Sequence, residues 1–220
     1  MKWFIRSAHR LGIGVIIDVV YNHMGTVDND LWDFDGNVPP PGGIWFYPDW
    51  RVGTPWGERP DYRRLEVRQY FVDNALSWLE VYHADGLRPD ATALIRSVDG
   101  SADSEKNLPD GWSLLQMINN EAERGQPGKI RIAEDMRNDQ QITAATASGG
   151  AGFNSQWDPD FVRVVRDLLA QVRDEDRDMN AIGYVLARWY GPDAFSWPSR
   201  ALAVDNGPRV ERLWRAGCCR

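Results

Sequence analysis

The sequence predicts an α/β fold built on a parallel sheet, and three observations carry that prediction. Runs of β-branched residues alternate with runs of helical periodicity through most of the chain. The first strand candidate, Ile13-Gly14-Val15-Ile16-Ile17-Asp18-Val19-Val20, is apolar on both faces, as in a strand covered by helices. Polar residues stand at the ends of three strand candidates, where packing does not call for them.

The elements follow in order. Residues 2–11 place Trp3, Phe4, Ala8 and Leu11 at helical spacing, and Gly12 is a C-cap. The strand at 13–20 comes next. The segment from Tyr21 to Asp61 mixes proline and glycine with Trp32, Trp45, Trp50 and Trp56. It is longer than an ordinary connection, and loops of such length are usually functional. After Pro60-Asp61 a helix of about five turns carries Val67, Tyr70, Phe71, Asn74, Trp78 and Tyr82 on one face. Strands are expected at 84–90, 129–134 and 152–157, and helices at 109–125, 158–173 and about 178–190. Residues 196–220 break the pattern, with five Arg against Asp205 and Glu211 and no clean period. Such a composition is what out-of-frame translation of a GC-rich message produces; a functional basic tail is the competing reading.

Composition narrows the function. A length of 220 residues fits one domain. With 25 basic and 32 acidic residues the net charge is −7, which argues against a nucleic-acid partner. No stretch approaches the roughly 18 apolar residues of a membrane span, so no membrane partner is expected. Met1-Lys2-Trp3-Phe4-Ile5-Arg6 reads as helix, not signal peptide, and the expected location is cytoplasmic. Cys218 and Cys219 are adjacent and cannot staple a fold or form a metal site. Eleven Trp are many for this length, and exposed aromatic faces are what sugar rings stack on; core packing is the plainer role for any one of them.

The three polar strand ends suggest chemistry. Asp18 lies within the first strand, followed by Tyr21-Asn22-His23; a buried charge there is costly unless paired. Arg88 and Asp90 stand two apart in Asp85-Gly86-Leu87-Arg88-Pro89-Asp90 and so share a strand face. Glu134 closes Ile132-Ala133-Glu134-Asp135. In a (β/α) barrel, polar residues at the C-terminal ends of several strands read as an active site. Two carboxylates and one Arg fit glycosyl transfer. One carboxylate attacks the anomeric carbon, and a protonated one roughly 5–5.5 Å away protonates the leaving oxygen. Arg88 would keep Asp90 ionised, while a less solvated Glu134 could stay protonated.

Asp18-Val19-Val20-Tyr21-Asn22-His23 resembles the first signature region of the α-amylase superfamily, glycoside hydrolase family 13. Gly86-Leu87-Arg88-Pro89-Asp90 resembles its second region and Ala133-Glu134-Asp135 its third. Leu31-Trp32-Asp33-Phe34-Asp35-Gly36, Thr54-Pro55-Trp56-Gly57 and Gly152-Phe153-Asn154-Ser155-Gln156-Trp157-Asp158 resemble 1,4-α-glucan branching enzymes and maltooligosyltrehalose trehalohydrolases. The resemblance spans residues 1–195 and implies part of a (β/α)8 TIM barrel, about strands 3 to 6 with their helices, with 21–61 as the loop after strand 3. It implies Asp90 as nucleophile and Glu134 as general acid/base. Arg88, His23, Asp18, Tyr21 and Trp56 are expected at the substrate, with Asn22 in support. The implied partner is an α-glucan or maltooligosaccharide.

Two departures stand out. Pro89 removes a ladder hydrogen bond from a central strand. The histidines are His9, His23 and His83, so the family's fourth region, a His-Asp pair supplying a third carboxylate, has no counterpart after Glu134. The chain as given is therefore expected to be a fragment and inactive, at most binding glucan. Transfer to a sugar, giving a branching activity, and hydrolysis of an α-glucan or of maltooligosyl trehalose both remain open. No cofactor is expected. Calcium is the alternative, at Asp28, Asn29, Asp30, Asp33 and Asp35, but these lack the alternating spacing of an EF-hand loop and read as solvated carboxylates.

Overall fold

A computed structural model describes residues 1–25, 29–31, 43–187 and 196–197. Asp28, Trp32, Asp33 and Asp35 lie outside the described residues, as do 188–195 and the segment after Trp197. Five strands form one sheet: β1 (Ile16–Val19), β2 (Gly86–Pro89), β3 (Ile130–Ala133), β4 (Ser155–Trp157) and β5 (Ser196–Trp197). Every neighbouring pair is parallel, and the spatial order is the chain order. A doubly wound sheet reverses its order at a switch point, whereas barrel staves run in sequence. The sheet is therefore part of a barrel wall. No strand was expected after the last helices, yet β5 follows them and lies at the start of the stretch read as an irregular tail.

Helix α1 (Lys2–Arg10) precedes β1. The apolar face expected from Trp3, Phe4, Ala8 and Leu11 does not form the contact: Ile5 is the buried residue, and Trp3 is 80% exposed. The helix instead docks through Ile5 and through His9, whose Nε2 lies 2.8 Å from Asp85 Oδ2. That same oxygen accepts the Val15 N–H at 2.7 Å and so ties the start of β1 to the approach to β2.

Helix α2 (Leu65–Leu76) buries Val67, Phe71, Val72 and Ala75, then widens into a π turn over Ser77–Val81. It packs against α4 (Pro109–Gly125), which has Pro109 in its first turn and buries Leu114, Leu115, Ile118 and Ala122. Gly111 lets α4 approach α3 (Thr92–Arg96): a Cβ there would stand 1.8 Å from the Ile95 carbonyl oxygen. The sequence pattern missed α3, a single turn directly after β2. Helices α5 (Pro159–Leu169) and α6 (Met179–Ala187) follow β4, with Asp158 capping α5 through the N–H groups of Asp160 and Phe161.

The described part of the long connection after β1 lays Trp45, Phe46, Tyr47 and Tyr62 into the core beside Phe71 and Val19. Arg59 is fully buried there and donates to the carbonyls of Leu94, Arg51 and Val98. It pins the loop to the α3 region through backbone carbonyls.

Two expectations need correction. Asp18 was expected inside a buried strand, yet its side chain is 66% exposed. The reason is position: β1 is the edge strand, and among the described residues no strand covers its free side. Tyr21 was expected at the substrate. Its ring lies 5.0 Å from Phe71 in the core, and its hydroxyl donates to Asn74 at 2.8 Å. Pro89 has the effect expected of it. The β2–β3 register runs through Leu87↔Arg131 and stops short of the proline.

Candidate active site

Parallel pairing brings the ends of β1, β2 and β3 to one side of the sheet. The register sets Asp18 beside Arg88 and Val19 beside Pro89. Asp90 follows β2 directly, and its N–H donates to the Val19 carbonyl at 2.8 Å. Glu134 follows β3, and its N–H donates to the Pro89 carbonyl at 3.2 Å. Backbone hydrogen bonds thus carry the sheet's order one residue past its strands and fix both carboxylates to rigid frames.

Arg88 is the hub. Its side chain is 11% exposed, and Nη1 donates to Asp18 Oδ1 at 2.6 Å and to Asp90 Oδ1 at 2.7 Å. Nη2 lies 2.8 Å from Glu134 Oε2. The guanidinium faces the Trp157 ring at 4.2 Å. A planar fork can meet three carboxylates at once, which a Lys ammonium on a flexible stem cannot do with the same geometry. The shared spacing of Arg88 and Asp90 put both on one face, as alternation requires.

Asn22 donates from Nδ2 to the Asp90 carbonyl at 2.8 Å and to Asp90 Oδ2 at 3.2 Å. Its own Oδ1 contacts His23 Nδ1. The His23 ring lies 5.6 Å from the half-exposed ring of Trp56. Asp18, Asn22, His23, Trp56, Arg88, Asp90 and Glu134 therefore gather as the sequence suggested; Tyr21 does not.

The site's electrostatics move Glu134 and the His23 imidazole in opposite directions. Burial pushes the Glu134 carboxyl above its ordinary value, and Asp90 pushes the same way. The Ala91 N–H and Arg88 pull against them without reversing the direction. Burial lowers His23 despite the nearby Asp90 carboxylate. Both carboxylates meet the one Arg88 guanidinium, Asp90 at Nη1 and Glu134 at Nη2. Among the described residues no group of three or more His, Cys, Asp or Glu is placed to hold a metal ion.

Three features of the site were not among the site residues expected from the sequence. Ala91 takes a left-handed conformation, φ 41°, and its N–H donates to Glu134 Oε2 at 2.9 Å. Behind it, Arg96 makes two bonds to the buried Asp135, Nε to Oδ2 at 2.9 Å and Nη2 to Oδ1 at 2.5 Å. Arg96 also reaches Asp139 at 2.6 Å, and the Thr92 hydroxyl donates to Asp135 at 3.2 Å. Trp157 is the third, as the surface under the Arg88 fork.

Known proteins match this frame. The chain is 34% identical over 187 residues to a 1,4-alpha-glucan branching enzyme of Photobacterium profundum, covering 79% of this chain and 25% of that enzyme. It is 36% identical over 187 residues to the branching enzyme of Leifsonia xyli, covering 80% of this chain and 24% of the relative. The α-amylase of Geobacillus thermoleovorans, solved with acarbose, shares the fold at TM-score 0.60 and 21% identity, over 84% of this chain and 38% of that one. A maltogenic α-amylase of Thermotoga neapolitana does so at TM-score 0.56 and 22% identity, over 84% and 36%.

The chain belongs to the α-amylase superfamily. No protein-family profile matches the sequence. The chain spans about a quarter of the length of the curated relatives it matches. The five sequential parallel strands match consecutive staves of a (β/α) barrel, and Asp90 and Glu134 directly follow two of them, β2 and β3.

Proposed function

We propose that this segment supplies the nucleophile and the general acid/base of a retaining, α-glucan-active enzyme of the 1,4-α-glucan branching type. One observation carries the reading: a single buried guanidinium bridges Asp90 and Glu134 at the ends of adjacent strands. In the first step Asp90 attacks the anomeric carbon while Glu134 gives its proton to the departing glycosidic oxygen. A covalent glycosyl-Asp90 results, and the leaving chain departs as an alcohol. In the second step Glu134, now ionised, takes a proton from the acceptor hydroxyl as that oxygen displaces Asp90.

The environment supports this division of labour. Burial favours a protonated Glu134, the state its first task needs. Asn22 and Arg88 aim Asp90, and Asp18 helps to fix Arg88. His23 and Trp56 offer a neutral donor and an aromatic face beside the carboxylates, suited to one sugar ring. Tyr21 enters only as packing beneath the site. The glucan is the partner in this reading, and the cytoplasm is the compartment. Among the described residues no helix is long and apolar enough to cross a membrane.

A graft tests the proposal. Residues 1–187 replace the matching segment of the Photobacterium profundum enzyme, and the product is assayed on amylose. Branching shifts the iodine stain without releasing reducing ends, and Asp90→Asn in the graft abolishes the shift. Release of reducing ends would move the reading to hydrolysis. A cooperatively folded graft that leaves amylose untouched would overturn it.

A further inference from the structure

The charge on α1 runs against its surroundings. The chain is acidic overall, yet Lys2, Arg6 and Arg10 recur four residues apart along one helix face, so like charges are direct neighbours. Lys2 stands in the first turn, against the helix dipole, and no acidic residue balances it there. Among the described residues none of these three cations has a carboxylate partner. Basic residues in a last turn complement the dipole, which accounts for His9 and Arg10 but not for Lys2 and Arg6.

A second wall faces this row. Tyr82 and His83 follow the π turn, with Lys2 Nζ 5.5 Å from the Tyr82 ring centroid and His83 held at φ 62°. Between the walls runs an open groove of about 610 Å³ lined by Lys2, Arg6, His9, Arg10, Tyr82 and His83 over Ile5. No acid lines it, and the nearby Asp85 is already engaged by His9 and the Val15 N–H. His83 precedes β2 whereas Asp90 follows it, so the groove and the carboxylate cluster lie at opposite ends of the sheet.

We propose that this groove binds a small phosphate ester of the sugar-phosphate class. Lys2, Arg6 and Arg10 take the phosphate, and Tyr82 borders the sugar. Three cations with no carboxylate partner among the described residues match a dianion, and its arrival relieves their mutual repulsion. The net charge of −7 and the few residues lining the groove favour a small anion over a nucleic acid or a membrane. The proposal is independent of the assignment of Asp90 and Glu134.

Calorimetric titration of residues 1–220 at low salt tests it, with glucose 1-phosphate, pyrophosphate and uncharged glucose as probes. Saturable binding of the two phosphates and none of glucose is expected. The double variant R6Q/R10Q should weaken both phosphates about tenfold or more, while Arg163→Gln, on the distant α5, leaves them unchanged. Tyr82→Ala should weaken glucose 1-phosphate and spare pyrophosphate. Should the double variant lose its cooperative melt, Lys2→Gln and Arg6→Gln singly must each weaken binding. Equal affinity in parent and folded variants, no saturable phosphate binding, or tighter capture of RNA or anionic vesicles than of the phosphate ester would overturn the proposal.

Discussion

The Ala91 N–H donates to Glu134 Oε2 at 2.9 Å, so the residue that follows one carboxylate of the site grips the other. To aim that N–H, Ala91 adopts φ 41° and ψ 52°, a left-handed conformation in which a Cβ costs roughly 1–2 kcal/mol. Glycine removes that cost and adds unfolded-state freedom worth about 0.4–1 kcal/mol. Ala91→Gly is therefore expected to stabilise the chain by up to about 1 kcal/mol, read as a higher urea midpoint. A lower midpoint would mean that the conformation is not strained.

Glu134→Gln should change stability in a pH-dependent way. The folded state raises the Glu134 pKa above its ordinary value, chiefly by burial. Between the unfolded and the folded pKa the native state therefore holds more protons, and stability falls as pH rises through that window. Gln mimics the protonated acid and does not titrate. The melting temperature of the variant relative to the parent should thus increase between about pH 4 and pH 7. A constant offset across that range would show that burial does not control this carboxyl.

His23 has the opposite linkage. Burial lowers its folded pKa, so its protonation opposes folding and stability is lost as pH falls below the ordinary histidine value of about 6.5. A proton-NMR titration of the ring should give a midpoint under that value in the parent. Asp90→Asn removes the upward pull of that carboxylate and should lower the midpoint further. A midpoint above the ordinary value would place the ring in a charged, solvated setting.

Periodicity located the helix at 109–125 to the residue, because Pro109 and a long apolar stripe mark it at both scales. The strands before the tail were also located, though each is shorter than the stretch read for it: Ile13 and Val20 flank β1 but are exposed. Alternation was enough to pair Arg88 with Asp90, whose contact is two residues apart. It could not reveal Arg96 and Asp135, which meet across 39 residues of chain. Nor could it orient Tyr21, since a tyrosine beside a polar cluster serves the core and the site equally well in sequence. Asp18 was misjudged because an apolar run says nothing of whether its strand is central or at an edge.

The Arg96–Asp135 pair is buried on both sides, so breaking it should cost more than replacing it. Arg96→Met leaves Asp135 without its cation and should destabilise by about 3–5 kcal/mol in urea unfolding. The double variant R96M/D135L should recover most of that loss, because two apolar side chains need no counter-ion. If the double variant is as unstable as the single one, the pair's role lies in its geometry and not in charge compensation.

Removing Arg88 tests the whole cluster. Asp18, Asp90 and Glu134 all contact this one fork, so the site carries three acids against a single cation. Arg88→Met leaves the acids facing one another and also removes the stacking on Trp157. The expected loss at pH 7 is about 3 kcal/mol, within the range for a partly buried charge network broken on one side. Acid should reduce it: Glu134, whose carboxyl burial holds above its ordinary value, takes up a proton as pH falls from 7 towards 4, and its share of the repulsion is lost. Arg88→Lys should fall between the two, since an ammonium restores the charge but not the three-way fork. A second readout separates repulsion from lost packing. Arg88 pulls the Glu134 pKa down, so its removal must raise the Glu134 midpoint in a carboxyl-carbon NMR titration. A loss that is equal at pH 7 and pH 4, with an unmoved Glu134 midpoint, would mean that Arg88 acts here by packing on Trp157 and that the carboxylates are screened from one another.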